Sequence, residues 1–144
     1  MKKKENEEKR IVSENELLAH VSTHKIIVTN IQLKTSISMS VPAGGGYSYI
    51  AINNVGLSEA ERFTALLHET GHCETGAFYN IHSPFDIIGK QEYRANKWAA
   101  EHALPKAALE QAAAEGYTEA WQLAEYFGVT EDFVRFAYMQ YYGG

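Results

Sequence analysis

The sequence predicts an α+β fold: a small antiparallel sheet packed on a central helix, with a helical C-terminal part. Three observations carry that expectation. Residues 25–53 are rich in β-branched and aromatic side chains with partial alternation, the texture of half-buried strands. Beyond Gly56 the apolar residues recur at helical spacing. From Pro105 onward, Gly116 and Gly128 divide the chain into short helical segments.

The elements follow in chain order. The start, KKKENEEKR over residues 2–10, mixes both signs of charge and reads as a solvated tail extending to about residue 11. Ser13 with Glu16 is a capping-box pattern, and Leu17, Leu18 and Val21 share one face, so a short helix is expected from about Glu14 to Ser22. IIVTNIQL, SISMSV and YSYIAIN are the three strands, with Pro42 and Gly44-Gly45-Gly46 turning the chain between the last two. That glycine run lacks the Lys-Ser/Thr of a phosphate-binding loop and reads as a hairpin. Ser58 and Glu61 form a second capping box, opening a helix expected to reach roughly Phe78. A looser stretch holds Ser83-Pro84, and a further helix is expected from about Gln91 to Ala103, stopped by Pro105. Pro105 opens the next helix and Gly116 closes it; Thr118 and Thr130 are candidate N-caps for the last two.

Composition narrows the function classes. At 144 residues the chain has the length of a single domain over 1–144, with 105–144 as a helical C-terminal subdomain. A net charge of −5 argues against direct nucleic-acid binding by bulk electrostatics. One cysteine precludes an internal disulfide and fits a cytoplasmic protein. No segment has the run of about 18–20 apolar residues that a membrane span requires.

The chemically informative segment is Leu66 to His72, which contains His68-Glu69-x-x-His72. Four residues advance a helix by about 400°, so the two imidazoles lie about 40° apart on one face and can share one zinc ion. Glu69 follows the first ligand, where a carboxylate can take a proton from water activated by the metal. A catalytic zinc wants a third protein ligand and an open position. Glu92 is the first candidate, placed to reach back if its helix packs beside the motif helix. His82, Glu101 and Asp86 are the others, whereas Glu74 faces away from both imidazoles. Asn96, one turn after Glu92, is placed to hold a histidine ring through its second nitrogen. Gly71, Ala95, Ala99 and Ala100 are small enough for two helices to approach closely.

These residues together resemble the ImmA/IrrE family of metallo-endopeptidases. The match is carried by Arg62-Phe63-Thr64 ahead of His68-Glu69 and Gly71-His72, then by Glu92, Ala95-Asn96, Ala99 and Leu104-Pro105. Tyr49 to Asn53 is similar to the strand before that family's motif helix. Leu123-Ala124, Phe127 and Val129-Thr130 are similar to its helical end. The resemblance implies a zincin-like fold with His68, His72 and Glu92 as metal ligands and Glu69 as catalytic base. It implies as partner a helix-turn-helix repressor of a phage or mobile element, cut by the enzyme; two imidazoles with one carboxylate favour Zn2+ as the cofactor, with Mn2+ as the other fitting ion. Trp98 and Glu101-His102-Ala103 depart from the family pattern without touching a proposed ligand.

Hydrolysis needs a donor for the oxyanion, and Tyr79, His82 and Tyr47 are the candidates. A substrate strand is expected to add to a sheet edge, with YSYIAIN as that edge. Cys73 reads as a structural thiol. His20, His24 and His102 read as surface or packing residues without partners at metal spacing. Two rival readings stand beside the peptidase. The segment from Thr118 has the helix–Gly–helix pattern of a DNA-binding helix-turn-helix, although its second helix offers only Arg135 as a base, with Glu131 and Asp132 at its start. A catalytically silent interaction module is the other.

Overall fold

The computed structural model describes residues 10–143. Helix α1 covers Glu14–Ser22, and Ser13 accepts from the Glu16 backbone N–H at 3.2 Å as its N-cap. Three strands follow: β1 (Ile26–Ile31), β2 (Ser38–Pro42) and β3 (Ser48–Asn53), with a 3-10 turn at Gly44–Gly46 between the last two. Five more helices complete the described chain: α2 (Glu59–Thr75), α3 (Phe85–Ala103), α4 (Lys106–Ala114), α5 (Ala120–Phe127) and α6 (Glu131–Tyr142).

The sheet is mixed rather than antiparallel. Its order is β1-β3-β2; β3 pairs antiparallel with β2 and parallel with β1. The β2–β3 hairpin is the one expected, but β1 joins the far side of β3. Hydrophobicity explains the order. β3 alternates strictly, with Ile50 and Ile52 fully buried, so it takes the centre. The flanking strands are more exposed. YSYIAIN is therefore the central strand, and the expectation that it forms a free edge is overturned: β2 is the edge beside α2.

Two helix boundaries also differ from expectation. α2 stops at Thr75 because Gly76 adopts φ 66°, the left-handed cap that glycine enters without strain. α3 begins at Phe85, one turn and a half before Gln91, because Pro84 supplies an extended N-cap and its carbonyl accepts from Ile88 N–H at 3.0 Å. The N-cap of α5 is Glu119, paired reciprocally with Gln122, rather than Thr118; Thr130 caps α6 as expected.

One apolar core runs through all the layers. It joins Leu17 and Val21 of α1, Ile50 and Ile52 of β3, Leu66 and Leu67 of α2, Ala99 and Ala100 of α3, Leu109 of α4, and Phe127, Phe133 and Val134 of the last two helices. Ile11 belongs to it: the residue is buried and its N–H bonds to the His102 carbonyl at 2.7 Å. The charged tail expected to residue 11 thus ends sooner; its first nine residues lie outside the described ones. Across the molecule, Thr64 of α2 accepts from the Thr130 backbone N–H at 3.0 Å, tying the motif helix to the C-terminal helices.

The packing that positions the site is α2 against α3. A Cβ built on Gly71 would fall on the backbone carbonyl of Ala95. Ala95, Ala99 and Ala100 are fully buried on the facing side. At the same junction Arg94 donates to the Thr75 carbonyl at 3.0 Å, placing a cation on the C-terminal end of α2 where unpaired carbonyls accumulate. Among the described residues no helix is long and apolar enough to cross a membrane.

Candidate metal centre

His68 and His72 project from one face of α2 with their Nε2 atoms 3.1 Å apart. Glu92, from the second turn of α3, closes the third side. Its Oε1 is 2.8 Å from His72 Nε2 and its Oε2 is 3.2 Å from His68 Nε2. The opposite ring nitrogens settle the tautomers. His68 Nδ1 donates to Asn96 Oδ1 at 2.7 Å, and His72 Nδ1 donates to the Ala77 carbonyl at 2.5 Å. With both protons on Nδ1, both Nε2 lone pairs point at the Glu92 carboxylate. Three acceptors then face one another, an arrangement that a divalent cation resolves. Two imidazoles with one carboxylate and an open side are a donor set suited to zinc. The residues present fit the metal.

Electrostatics agree that this spot favours positive charge. Burial works against a charged His68, yet hydrogen bonding and charge from Glu92, then the charge of Glu69, raise its pKa above the ordinary value. Burial likewise opposes ionisation of Glu92, but the facing His68 and His72 imidazoles, when they carry a second proton on Nε2, outweigh it and hold the carboxyl well below the usual range.

Glu69 is buried on the cleft side of α2 and is held by the sheet. Ser38 Oγ donates to its Oε2 at 2.8 Å and Ser40 Oγ to its Oε1 at 2.5 Å. Ser38 and Ser40 share a face of β2 because strand side chains alternate. The sequence reading did not pick them out. The signal was present in Ser-x-Ser within SISMSV, but its meaning depends on which strand lies beside α2.

The cleft over these groups is lined by β2, the end of α2, the 78–81 loop and α3, with a volume near 810 Å³. Met39, Val41, Phe78, Ile81 and Ile88 give it apolar walls. Tyr79 reaches in from the loop and donates to Glu92 Oε1 at 2.9 Å. Burial, followed by the hydrogen bond and charge of Glu92, pushes its hydroxyl pKa up to about 12, so it stays a proton donor.

The remaining sequence candidates separate. His82 sits on the exposed 80–83 turn, where its backbone N–H bonds to Asn80 Oδ1, and it does not join the donor group. Asp86 and Glu101 lie on exposed faces of α3, away from the same group. Tyr47 stands at the β2–β3 turn under Lys25, whose Nζ is 5.7 Å from its ring, and does not line the cleft. Cys73 is half-buried, and burial, with the charges of Glu69 and Glu74, raises its thiol pKa to about 11 despite a bond to Ser48. His24 is a surface residue and His20 packs on it and on Trp98, but the expectation that they lack partners at metal spacing is overturned. With Glu74 they form a second His–His–Glu group whose ligand atoms lie within 4.8 Å of one another. Their spacing of four was visible, but Glu74 is 54 residues from His20 and only folding brings it there.

A mixed sheet laid on a helix that carries two metal-spaced histidines, with a carboxylate from the next helix, defines a zincin-like metallopeptidase-type domain. The chain belongs to the peptidase M78 family, described as the IrrE N-terminal-like domain, which it matches over residues 18–139. Comparison with curated proteins and with solved structures gave no significant match.

Proposed function

We propose that this chain is a zinc-dependent endopeptidase that holds the metal on His68, His72 and Glu92, uses Glu69 as the catalytic base, and cuts a helix-turn-helix repressor of a phage or mobile element. The observation that carries the reading is the convergence of two Nε2 lone pairs and one carboxylate, imposed by the Asn96 and Ala77 acceptors. When bound, zinc supplies Lewis acidity, acidifying water toward neutrality and polarising a carbonyl.

The protein's own residues do the rest. The free edge of β2 pairs with an extended substrate segment, main chain to main chain, and the apolar cleft walls receive alternate side chains. Ser38 and Ser40 fix the Glu69 carboxylate beside the metal ligands. Glu69 accepts the proton of the attacking water and passes it to the nitrogen of the departing amine. Tyr79 turns its hydroxyl from Glu92 to the developing oxyanion. The repressor as substrate is supported by the family resemblance alone.

The DNA-binding alternative is weaker. Arg135, the one base of α6, is bonded to Glu131 at 3.0 Å and to Asp132 at 3.2 Å on the same helix. Those acids sit at the α6 N-terminus, where they repel a phosphate.

The test is proteolysis by the zinc-loaded chain of a proteome-derived peptide library read by mass spectrometry, followed by purified helix-turn-helix repressors. Wild type is expected to cut both and Glu69→Gln to cut neither while retaining its metal. Intact substrates with metal-loaded wild type, or equal cutting by Glu69→Gln, overturn the proposal.

A further inference from the structure

His20, His24 and Glu74 form a second cluster with metal-ligand chemistry, on the other side of α2 from the catalytic group. Glu74 lies two residues beyond His72, about 200° around the helix. It therefore leaves α2 toward α1 and not toward the cleft. His20 Nε2 meets Glu74 Oε2 at 2.8 Å. An ion pair between those two alone would need no third partner. Yet the His24 ring lies over His20 at 3.9 Å between centroids and 13° between planes.

The tautomer of His24 is fixed in the same manner as those of the catalytic histidines. Its Nδ1 lies 2.7 Å from the His20 carbonyl, which can only accept, and 3.0 Å from Thr23 Oγ1, whose own proton goes to that same carbonyl, so the ring proton sits on Nδ1. Nε2 is thereby left with its lone pair, on an exposed ring at the surface. The Trp98 ring lies 5.7 Å from that of His20, tilted by 55°. The ligand atoms of the three residues lie within 4.8 Å of one another.

We propose that His20, His24 and Glu74 form a second site for a divalent transition ion of the zinc class. The cation replaces the proton shared by His20 Nε2 and Glu74 Oε2. The two stacked rings splay so that both Nε2 lone pairs converge on it, and water fills the open position. Two imidazoles and one carboxylate select zinc, nickel or copper over magnesium or calcium. Because His24 is exposed, the ion exchanges more readily than one at the less exposed His68–His72–Glu92 group. Its physical effect is a clip. It joins the corner between α1 and β1 to the last turn of the motif helix, opposing separation of the two. The site does not depend on the peptidase proposal, and its occupancy is read without substrate.

Zinc binding to the full chain, followed by native mass spectrometry and equilibrium dialysis, tests the site. Wild type is expected to take up about two ions and His24→Gln about one, with the loss confined to the weaker of the two. His68→Ala/His72→Ala is expected to keep about one ion, and adding Glu74→Gln is expected to lower its affinity about tenfold or more. If the double variant does not fold, the comparison of wild type with His24→Gln and Glu74→Gln still decides, because those positions lie outside the core. Zinc should also raise the melting temperature of His68→Ala/His72→Ala but not of the version carrying His24→Gln as well. Wild type that saturates at about one ion, or a second ion that survives both His24→Gln and Glu74→Gln, overturns the site.

Discussion

Gly71 has no side chain where the Ala95 carbonyl passes: a Cβ at that position would occupy the same space as the carbonyl oxygen. The contact lies between His68 and His72 on one helix and directly before Asn96 on the other. The backbone approach it permits is what allows Glu92 to span from α3 to both imidazoles, although it stands 20 residues beyond His72.

Gly71→Ala should therefore damage both fold and site. The added methyl must push α2 and α3 apart, at a cost of about 1–3 kcal/mol or more. Urea denaturation should show that loss, and metal affinity should fall with it because Glu92 no longer reaches. A variant as stable as wild type with full metal would refute the close approach.

In the proposed metal site, Asn96 holds the His68 ring. Asn96→Ala removes the acceptor of the Nδ1 proton and frees the ring to rotate or change tautomer. Metal affinity is expected to drop about 10–100-fold, while Asn96→Asp, which keeps an acceptor, retains most of it. Competition with a chromophoric chelator measures both. Equal affinities for Asn96→Ala and wild type would assign Asn96 a packing role only.

Ser38 and Ser40 should separate catalysis from metal binding. Neither touches a ligand, but together they hold both oxygens of Glu69. Ser38→Ala/Ser40→Ala is expected to lower kcat about 10–100-fold with metal content unchanged, in the range of a misplaced general base. A variant with wild-type kcat would show that Glu69 is positioned without them.

Tyr141 offers a stability test far from the cleft. Its hydroxyl is buried without a hydrogen-bond partner among the described residues, so Tyr141→Phe should stabilise the fold by about 1 kcal/mol. Burial, then the charge of Glu101, raises its pKa to about 12. The folded state thus keeps the proton that the unfolded chain releases near pH 10. Between pH 10 and 12 the unfolded state binds fewer protons, and this residue's contribution to stability falls as pH rises. Melting temperatures of wild type and Tyr141→Phe should diverge across that window. Parallel curves would place the hydroxyl in contact with water.

The sequence by itself determined what is local. Capping pairs at Ser13 and Ser58, the helical spacing of His68 and His72, and the small residues at Gly71, Ala95, Ala99 and Ala100 can all be read along the chain, because helix geometry fixes which neighbours share a face. Glu92 and Asn96 were legible for the same reason, one turn apart on the partner helix. What only the tertiary structure decided is which distant elements meet. Alternation in the strands looks the same in parallel and antiparallel pairs, so the central place of β3 and the presence of Ser38 and Ser40 beside Glu69 awaited the sheet order. Glu74 looked idle because it faced away from the motif histidines. Its meeting with His20 is made by α1 folding back on α2, a contact driven by burial of Leu17 and Val21 that no local spacing encodes.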